Sequence, residues 1–464
     1  MKRMIRIFVP VLVLALCLVP FAGCGGGSQP EAPAAPAADG GTAPAADSGT
    51  APAEGGTLNI WSFTDEVPTM LEKFKELNPD FNYDLNITII ATTEGAYQPA
   101  LDQALMSGGS DAPDLYVAEE AFVVKYTQGD AAHFAAPYAD LGIDIPGAVD
   151  AAQIATYARE IGTRGDGAIV ALPYQATGGA LIYRRSIAQD VWGTDDPATI
   201  KNNVGPGIDK FMAAAEEVKA KGYAMISGQN DLFHPMKSNA SSGWIVDGKL
   251  NIDPGREAFL DAARTVWENE YSNRTSAWQD PWFADMSDAG PRKVFCFFGP
   301  AWLINYVMAG NAGDTFGDWA VCEAPIGFSW GGSYIIANNN SQHKAALGEI
   351  VNWITLDTSD NGLQYMWANG TLYGEGGTKD TVASGVVMGR SDGSVDFLGG
   401  QNMFDVFVPA GVNAKGDIMT QFDETINTIY QDMAAQYAQG IMSRDETLAA
   451  FKTRISDELG IAID

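Results

Sequence analysis

The chain is short of positive charge. Its 464 residues carry 28 Lys and Arg against 58 Asp and Glu, a formal net charge of −30. So acidic a body repels phosphate backbones and anionic headgroups, so neither nucleic acid nor a charged lipid surface is expected as a partner. Histidine is scarcer still. His133, His234 and His343 are the only three, and none has the His-Glu-x-x-His spacing that holds a catalytic zinc. The four cysteines are Cys17, Cys24, Cys296 and Cys322, and they show no metal-binding spacing. No phosphate-binding loop is present. After Phe21 no apolar run approaches the roughly 20 residues that cross a bilayer. No repeat of about 20 to 50 residues recurs.

What is present starts at the N-terminus. Lys2, Arg3 and Arg6 precede an apolar run from Ile7 to Phe21, and small residues then lead to Cys24. This is the layout of a secretory signal. Phe21-Ala-Gly-Cys24 resembles the lipobox of bacterial lipoproteins, with Phe21 where Leu is usual. The resemblance implies a signal peptide over 1–23 and a lipid on Cys24. An ordinary secretion signal cut nearby is the alternative. Residues 24–56 then hold mostly Gly, Ala, Pro, Ser, Thr and acidic residues. Such a composition buries too little apolar surface to offset chain entropy, so it is expected to be a disordered linker.

The remaining length exceeds what one core usually sustains, and two lobes are expected. Thr57–Phe63 reads as a strand, and Thr64 or Asp65 can cap the helix carrying Leu71, Phe74 and Leu77. Leu85, Ile87 and Ile89 alternate as a second strand. A helix follows over Tyr97–Leu105, then a buried strand over Asp114–Val117 and a helix near Glu120–Thr127. Strand, helix, strand, helix, strand predicts a parallel, doubly wound sheet. Residues 168–183 change character, with a strand, a Pro and Gly interruption, and another strand. A second α/β series follows. Its strands are Val294–Phe298, Trp319–Glu323 and Ser333–Ala337, and its long helices include Pro254–Glu268, Ile418–Gln439 and Arg444–Leu459. Cys296 and Cys322 lie in two of these apolar strands, as a disulfide or as two buried thiols.

Together these stretches resemble the extracellular solute-binding proteins of ATP-driven (ABC) sugar importers, of the maltose-binding type. The resemblance rests on Leu58–Phe63 with its helix, on Ala104–Tyr116 with its Pro-Asp before a strand, and on Leu172–Tyr183. It rests also on Val294–Trp302 with Ala324–Gly332, and on Ala438–Leu448. Arg184 departs from it, standing where the family often has Asn. The implied fold is α/β, with two doubly wound lobes joined by crossover strands around a ligand cleft. Residues 57–181 and 334–400 would form the first lobe, and 182–333 and 401–464 the second. Hinge closure on ligand would follow. The implied partners are a carbohydrate, the permease subunits of an importer, and the membrane through the Cys24 lipid. No cofactor and no metal is expected, and the chain is expected to act as a monomer.

Sugars show hydroxyl edges and flat C–H faces, so a site needs carboxylates, amides and aromatic plates. Phe63, Thr64 and Asp65 end the first strand, where open α/β sheets bind ligands. Tyr116 and Glu119 end another strand. Tyr174, Gln175 and Thr177 lie in the crossover. Trp278, Asp280 and Trp282 share one loop, Trp302 follows Gly299-Pro300, and Trp330 and Gly332 stand at the return crossover. Each tryptophan has a core role as its alternative, which is accepted for Trp61. A lipid-anchored glycoside hydrolase is the competing class, but no motif picks out the two carboxylates it needs. A binding protein for a non-sugar solute is the other alternative, and a purely structural lipoprotein a third.

Overall fold

The computed structural model describes residues 55–92, 95–411 and 414–463. The signal segment, Cys24 and the linker up to residue 54 lie outside the described residues. Among the described residues the strands are β1 (Gly56–Ser62), β2 (Tyr83–Ile89), β3 (Leu115–Glu119), β4 (Leu172–Pro173), β5 (Ala180–Arg184), β6 (Ile245–Val246), β7 (Lys249–Leu250), β8 (Cys296–Gly299), β9 (Trp319–Glu323) and β10 (Ser333–Ala337).

The first sheet has the order β2-β1-β3-β10-β4. β1 runs parallel to β2 and β3, while β10 is antiparallel to β3 and β4. Parallel neighbours need a crossover between them. The helices Glu66–Leu77 and Tyr97–Ser107 supply it. The first buries Val67, Met70, Leu71 and Phe74 on one face. Leu58, Ile60, Leu115, Val117, Ile335 and Ile336 are fully buried or nearly so in the central strands. The edge strand β2 stays largely exposed.

The second sheet has the order β8-β5-β9 and is antiparallel throughout. β5 carries the chain away from the first sheet and β9 brings it back, so the two must run in opposite senses. Single parallel bridges, Ala224 with Val294 and Ile226 with Ser272, extend the sheet. Its two faces alternate with period two. Ile182, Phe297, Trp319 and Val321 join the core that also lines the first sheet. Leu181, Tyr183, Cys296, Phe298 and Cys322 face a second core. That core also holds apolar residues of the helices Ile208–Ala220, Pro254–Glu268, Asp423–Ala438 and Arg444–Leu459. The two cysteines are free and buried. They sit on β8 and β9 with β5 between them, opposite Tyr183 and Leu181.

Two crossover stretches lie side by side between the sheets. The Gly179 amide donates to the Phe328 carbonyl (2.8 Å) and the Trp330 amide to the Thr177 carbonyl (3.1 Å). A Cβ on Gly179 would stand 2.1 Å from the Phe328 ring, so only glycine allows this approach. Phe397, close to the expected lobe boundary at 400, lies flat on Trp319 (centroids 6.0 Å, 10°). Arg184 takes no part in the cleft. It is buried, paired with Asp288 (2.6 Å) and Asp318 (2.9 Å), and lies over Trp319.

Candidate ligand-binding cleft

A cleft of about 780 Å³ opens where the carboxyl ends of β1 and β3 meet the crossover and the loops beyond the second sheet. Phe63, Thr64 and Asp65 reach it from the end of β1, Glu119 from the end of β3, and Gln175 from the crossover. Asp65 stands at the start of the first helix, but its side chain caps nothing. The Glu66 amide donates instead to Thr64 Oγ1 (3.4 Å). The Asp65 carboxylate is thereby left at the cleft.

The opposite wall is indole. Trp278 and Trp302 are parallel (6.2 Å, 10°), and Trp330 meets Trp302 edge-on (4.8 Å, 71°). Trp302 Nε1 donates to the Trp330 carbonyl (2.9 Å), which fixes its plane. Trp278 is 49% exposed and holds φ +67°, a costly conformation for a bulky residue. Strain of this kind gathers at ligand sites. Gly332, at φ +116°, lies against Thr177, whose Cγ2 would be 3.0 Å from an added Cβ. Trp302 leads into a π-helical turn, Leu303–Met308, which brings Tyr306 to the cleft.

Carboxylates stand among these rings. Glu66 accepts a hydrogen bond from the Tyr306 hydroxyl (2.5 Å). Burial pushes its carboxyl up to about 7, against the lowering effect of Tyr306. Glu119 caps the helix Glu120–Thr127 by accepting from the Ala121 amide (3.1 Å). Burial and the neighbouring Glu120 push it up to about 8. Asp380, 1% exposed, is pushed up to about 7 by burial, and Glu66 adds to the rise.

Behind Trp330 lies a narrower compartment of about 200 Å³ that shares Glu119, Trp330 and Gly331 with the first. His234 stacks on the far face of Trp330 (4.2 Å, 21°). Glu120, Asp423 and Glu424 meet Lys237, Arg256 and Lys415 here. Gly327-Phe-Ser-Trp-Gly331 in this region has the Gly-x-Ser-x-Gly order of a hydrolase elbow. It forms an irregular crossover, and Ser329 Oγ donates to Glu120 (3.2 Å) rather than to a histidine.

Five candidates from the sequence lie off the cleft wall. Tyr116 is buried in the first sheet, edge-on to Tyr126. Tyr174 is buried behind Trp367. Thr177 is buried, and its amide donates to the Tyr157 hydroxyl (2.9 Å). Asp280 begins the helix Asp280–Met286 and is exposed. Trp282, in the same helix, turns into the core and donates to Asp231 (3.0 Å). Expecting a loop there hid the helical turn that takes Trp282 into the core while Trp278 stays exposed beside it. Sequence reasoning missed Glu66, Tyr306, Trp367 and Tyr373, which also line the cleft. Glu66 could have been found, because it adjoins Asp65 at the start of a helix on the sheet's carboxyl edge.

The family model described as bacterial extracellular solute-binding protein matches residues 69–388. A crystal structure of an extracellular solute-binding protein family 1 member is similar at 19% identity, with a TM-score of 0.67 over 87% of this chain and 99% of that one. The galacto-N-biose/lacto-N-biose I-binding protein of an ABC transporter from Bifidobacterium longum is similar at 16% identity, with a TM-score of 0.65 over 88% and 98% of the two chains. The sugar-binding protein MalE from Xanthomonas citri is similar at 14% identity, with a TM-score of 0.67 over 87% and 97%. No curated protein matched the sequence.

Proposed function

The chain belongs to the bacterial extracellular solute-binding proteins, and on that premise we propose that it captures a carbohydrate outside the cell membrane and hands it to the permease of an ABC importer. The observation that carries this reading is the indole wall of Trp278, Trp302 and Trp330 facing polar groups at the carboxyl ends of β1 and β3. Indole planes match the C–H faces of pyranose rings, and carboxyl and amide groups match their hydroxyls. Sugar-binding relatives of the same fold support the choice of ligand. In this reading the chain performs no chemistry on its ligand.

The lobes are residues 57–181 with 334–400, and 182–333 with 401–464. Ligand touching both draws them together. A lipid on Cys24 holds the body at the membrane, so Cys24→Ser should release it to the medium. The direct test is calorimetric titration of the purified chain with mono- and oligosaccharides, amino acids and peptides. Saturable binding of a sugar that is recovered unchanged supports the receptor. Binding confined to a peptide or amino acid overturns the cargo, and consumption of the sugar overturns the receptor in favour of a hydrolase.

A further inference from the structure

The wider compartment gathers acidic groups with no basic one beside them, an arrangement that a neutral sugar would leave unanswered. Its walls carry the carboxylates of Asp65, Glu66 and Glu119, and among the described residues no Lys, Arg or His lines it. The hydrogen-bond partners of two of them are neutral: the Tyr306 hydroxyl for Glu66 and the Ala121 amide for Glu119. Lys237 acts on Glu119 from the compartment behind Trp330, but more weakly than Glu120 and Glu424 repel it. Asp65 and Asp380 add repulsion around Glu66, and Oδ2 of the buried Asp380 has no hydrogen-bond partner.

Two further observations bear on the ligand. Indole faces attract a cation within about 6 Å of the ring centre, and tryptophan does so best. Trp367 also lines the compartment, is 6% exposed, and keeps an unpartnered Nε1–H. The site thus offers carboxylates and ring faces to a cation.

Resting on the carbohydrate reading above, we propose that the ligand carries a protonated amine: an amino sugar, or an oligosaccharide containing one, whose ammonium is held by the cleft carboxylates and the indole faces. Burying unpaired carboxylates is costly, and a matching cation relieves that cost where a hydroxyl does so only partly. Carboxyls raised by burial and mutual repulsion would ionise as the ammonium arrives, so binding at pH 7 releases protons.

The test is calorimetry on the purified chain at pH 7 and low salt. The probes are aminohexoses and their β-1,4 oligomers, the N-acetylated forms, the neutral parent sugars, and choline and putrescine. The expected result is at least tenfold tighter binding of a free amino sugar than of its N-acetyl form. Protons should be released on binding, and 0.5 M salt should reduce the preference. Glu66→Gln and Glu119→Gln should each narrow it several-fold. Both are amide replacements of groups already close to neutral, so the fold should tolerate them. Equal or tighter binding of N-acetylated or neutral sugars overturns the amine and leaves the carbohydrate reading standing. Binding of choline or putrescine without any sugar overturns the carbohydrate reading and keeps the cation. Failure of every amine probe overturns the inference.

Discussion

Trp330 divides the cleft into two compartments that treat charge in opposite ways. On one side, about 780 Å³ is walled by indoles and three carboxylates with no cation among the described residues. On the other, about 200 Å³ holds acids and bases together. There Glu120 accepts from Ser329 (3.2 Å), Asp423 accepts from Thr420 Oγ1 (2.6 Å), and Lys237 and Arg256 supply counter-charge. The narrow compartment sets cations near its carboxylates, whereas the wide one, among the described residues, sets none there, and that difference is what the proposed ammonium would answer. A buried charge is informative when the protein has not paired it.

The sharpest way to break this contrast is to remove the divider. Trp330 touches His234 on one face and Trp302 at its edge, so Trp330→Ala opens each compartment to the other. Central, well-packed tryptophans carry about 2 kcal/mol or more of binding, so ligand affinity should fall about 30-fold or more by calorimetry. A loss under threefold would mean the ligand sits elsewhere. The next effect is on stability. Lys237 attracts Glu119, Glu120 and Asp423 at once. Lys237→Met should cost about 1–2 kcal/mol at pH 8 by urea denaturation, because buried carboxylates lose their counter-charge. The loss should shrink at pH 5.5, where Glu119, raised to about 8, is protonated. An equal loss at both pH values would make Lys237 a packing residue.

A smaller effect needs no mutation. Glu66 and Glu119 have folded values raised to about 7 and about 8, from an ordinary 4.5. The folded state therefore binds more protons than the unfolded chain between those limits, and stability falls as pH rises. The melting temperature without ligand should drop by several degrees between pH 5.5 and pH 8.5. Glu119→Gln should flatten that slope. A melting temperature that rises over this window would show that the wide compartment's charges are paired after all.

Much of this was legible in the sequence, unevenly. Elements with strong periodicity were read to the residue, as at Pro254–Glu268, Trp319–Glu323 and Arg444–Leu459. The first sheet's alternation of strand and helix was equally plain. Position along a strand located Phe63, Thr64, Asp65 and Glu119 at the cleft, because a parallel sheet presents its carboxyl edge to ligands. Facing was harder. Tyr116 and Glu119 share a strand, yet one is sheet interior and the other a helix cap. Tyr306 was invisible because a π-helical turn changes which residues share a face. Tyr373 reaches the cleft through tertiary packing, for which local pattern carries no signal. Unpaired charge was unreadable for a simpler reason: in so acidic a chain, only the structure shows which carboxylates lack a partner.

The smallest expected effect concerns the rim. Trp278 is half exposed and held at φ +67°, whereas Trp330 has His234 stacked on one face and Trp302 at its edge. Trp278→Gly removes a ring that covers the ligand from outside and also relieves a backbone that glycine adopts freely. Lost contacts with Trp302 and Trp282 oppose that relief. Stability should therefore change by no more than about 0.5 kcal/mol, the range of ordinary surface substitutions. Affinity should fall about three- to fivefold, far short of the Trp330 effect, since rim contacts mainly exclude water. Denaturation and calorimetry on the same preparation separate the two quantities. If stability fell by several kcal/mol, the positive φ would belong to a packed corner of the fold rather than to a rim strained for ligand. If affinity fell as far as in Trp330→Ala, the two compartments would have to be redrawn as one indole box with Trp278 as its lid.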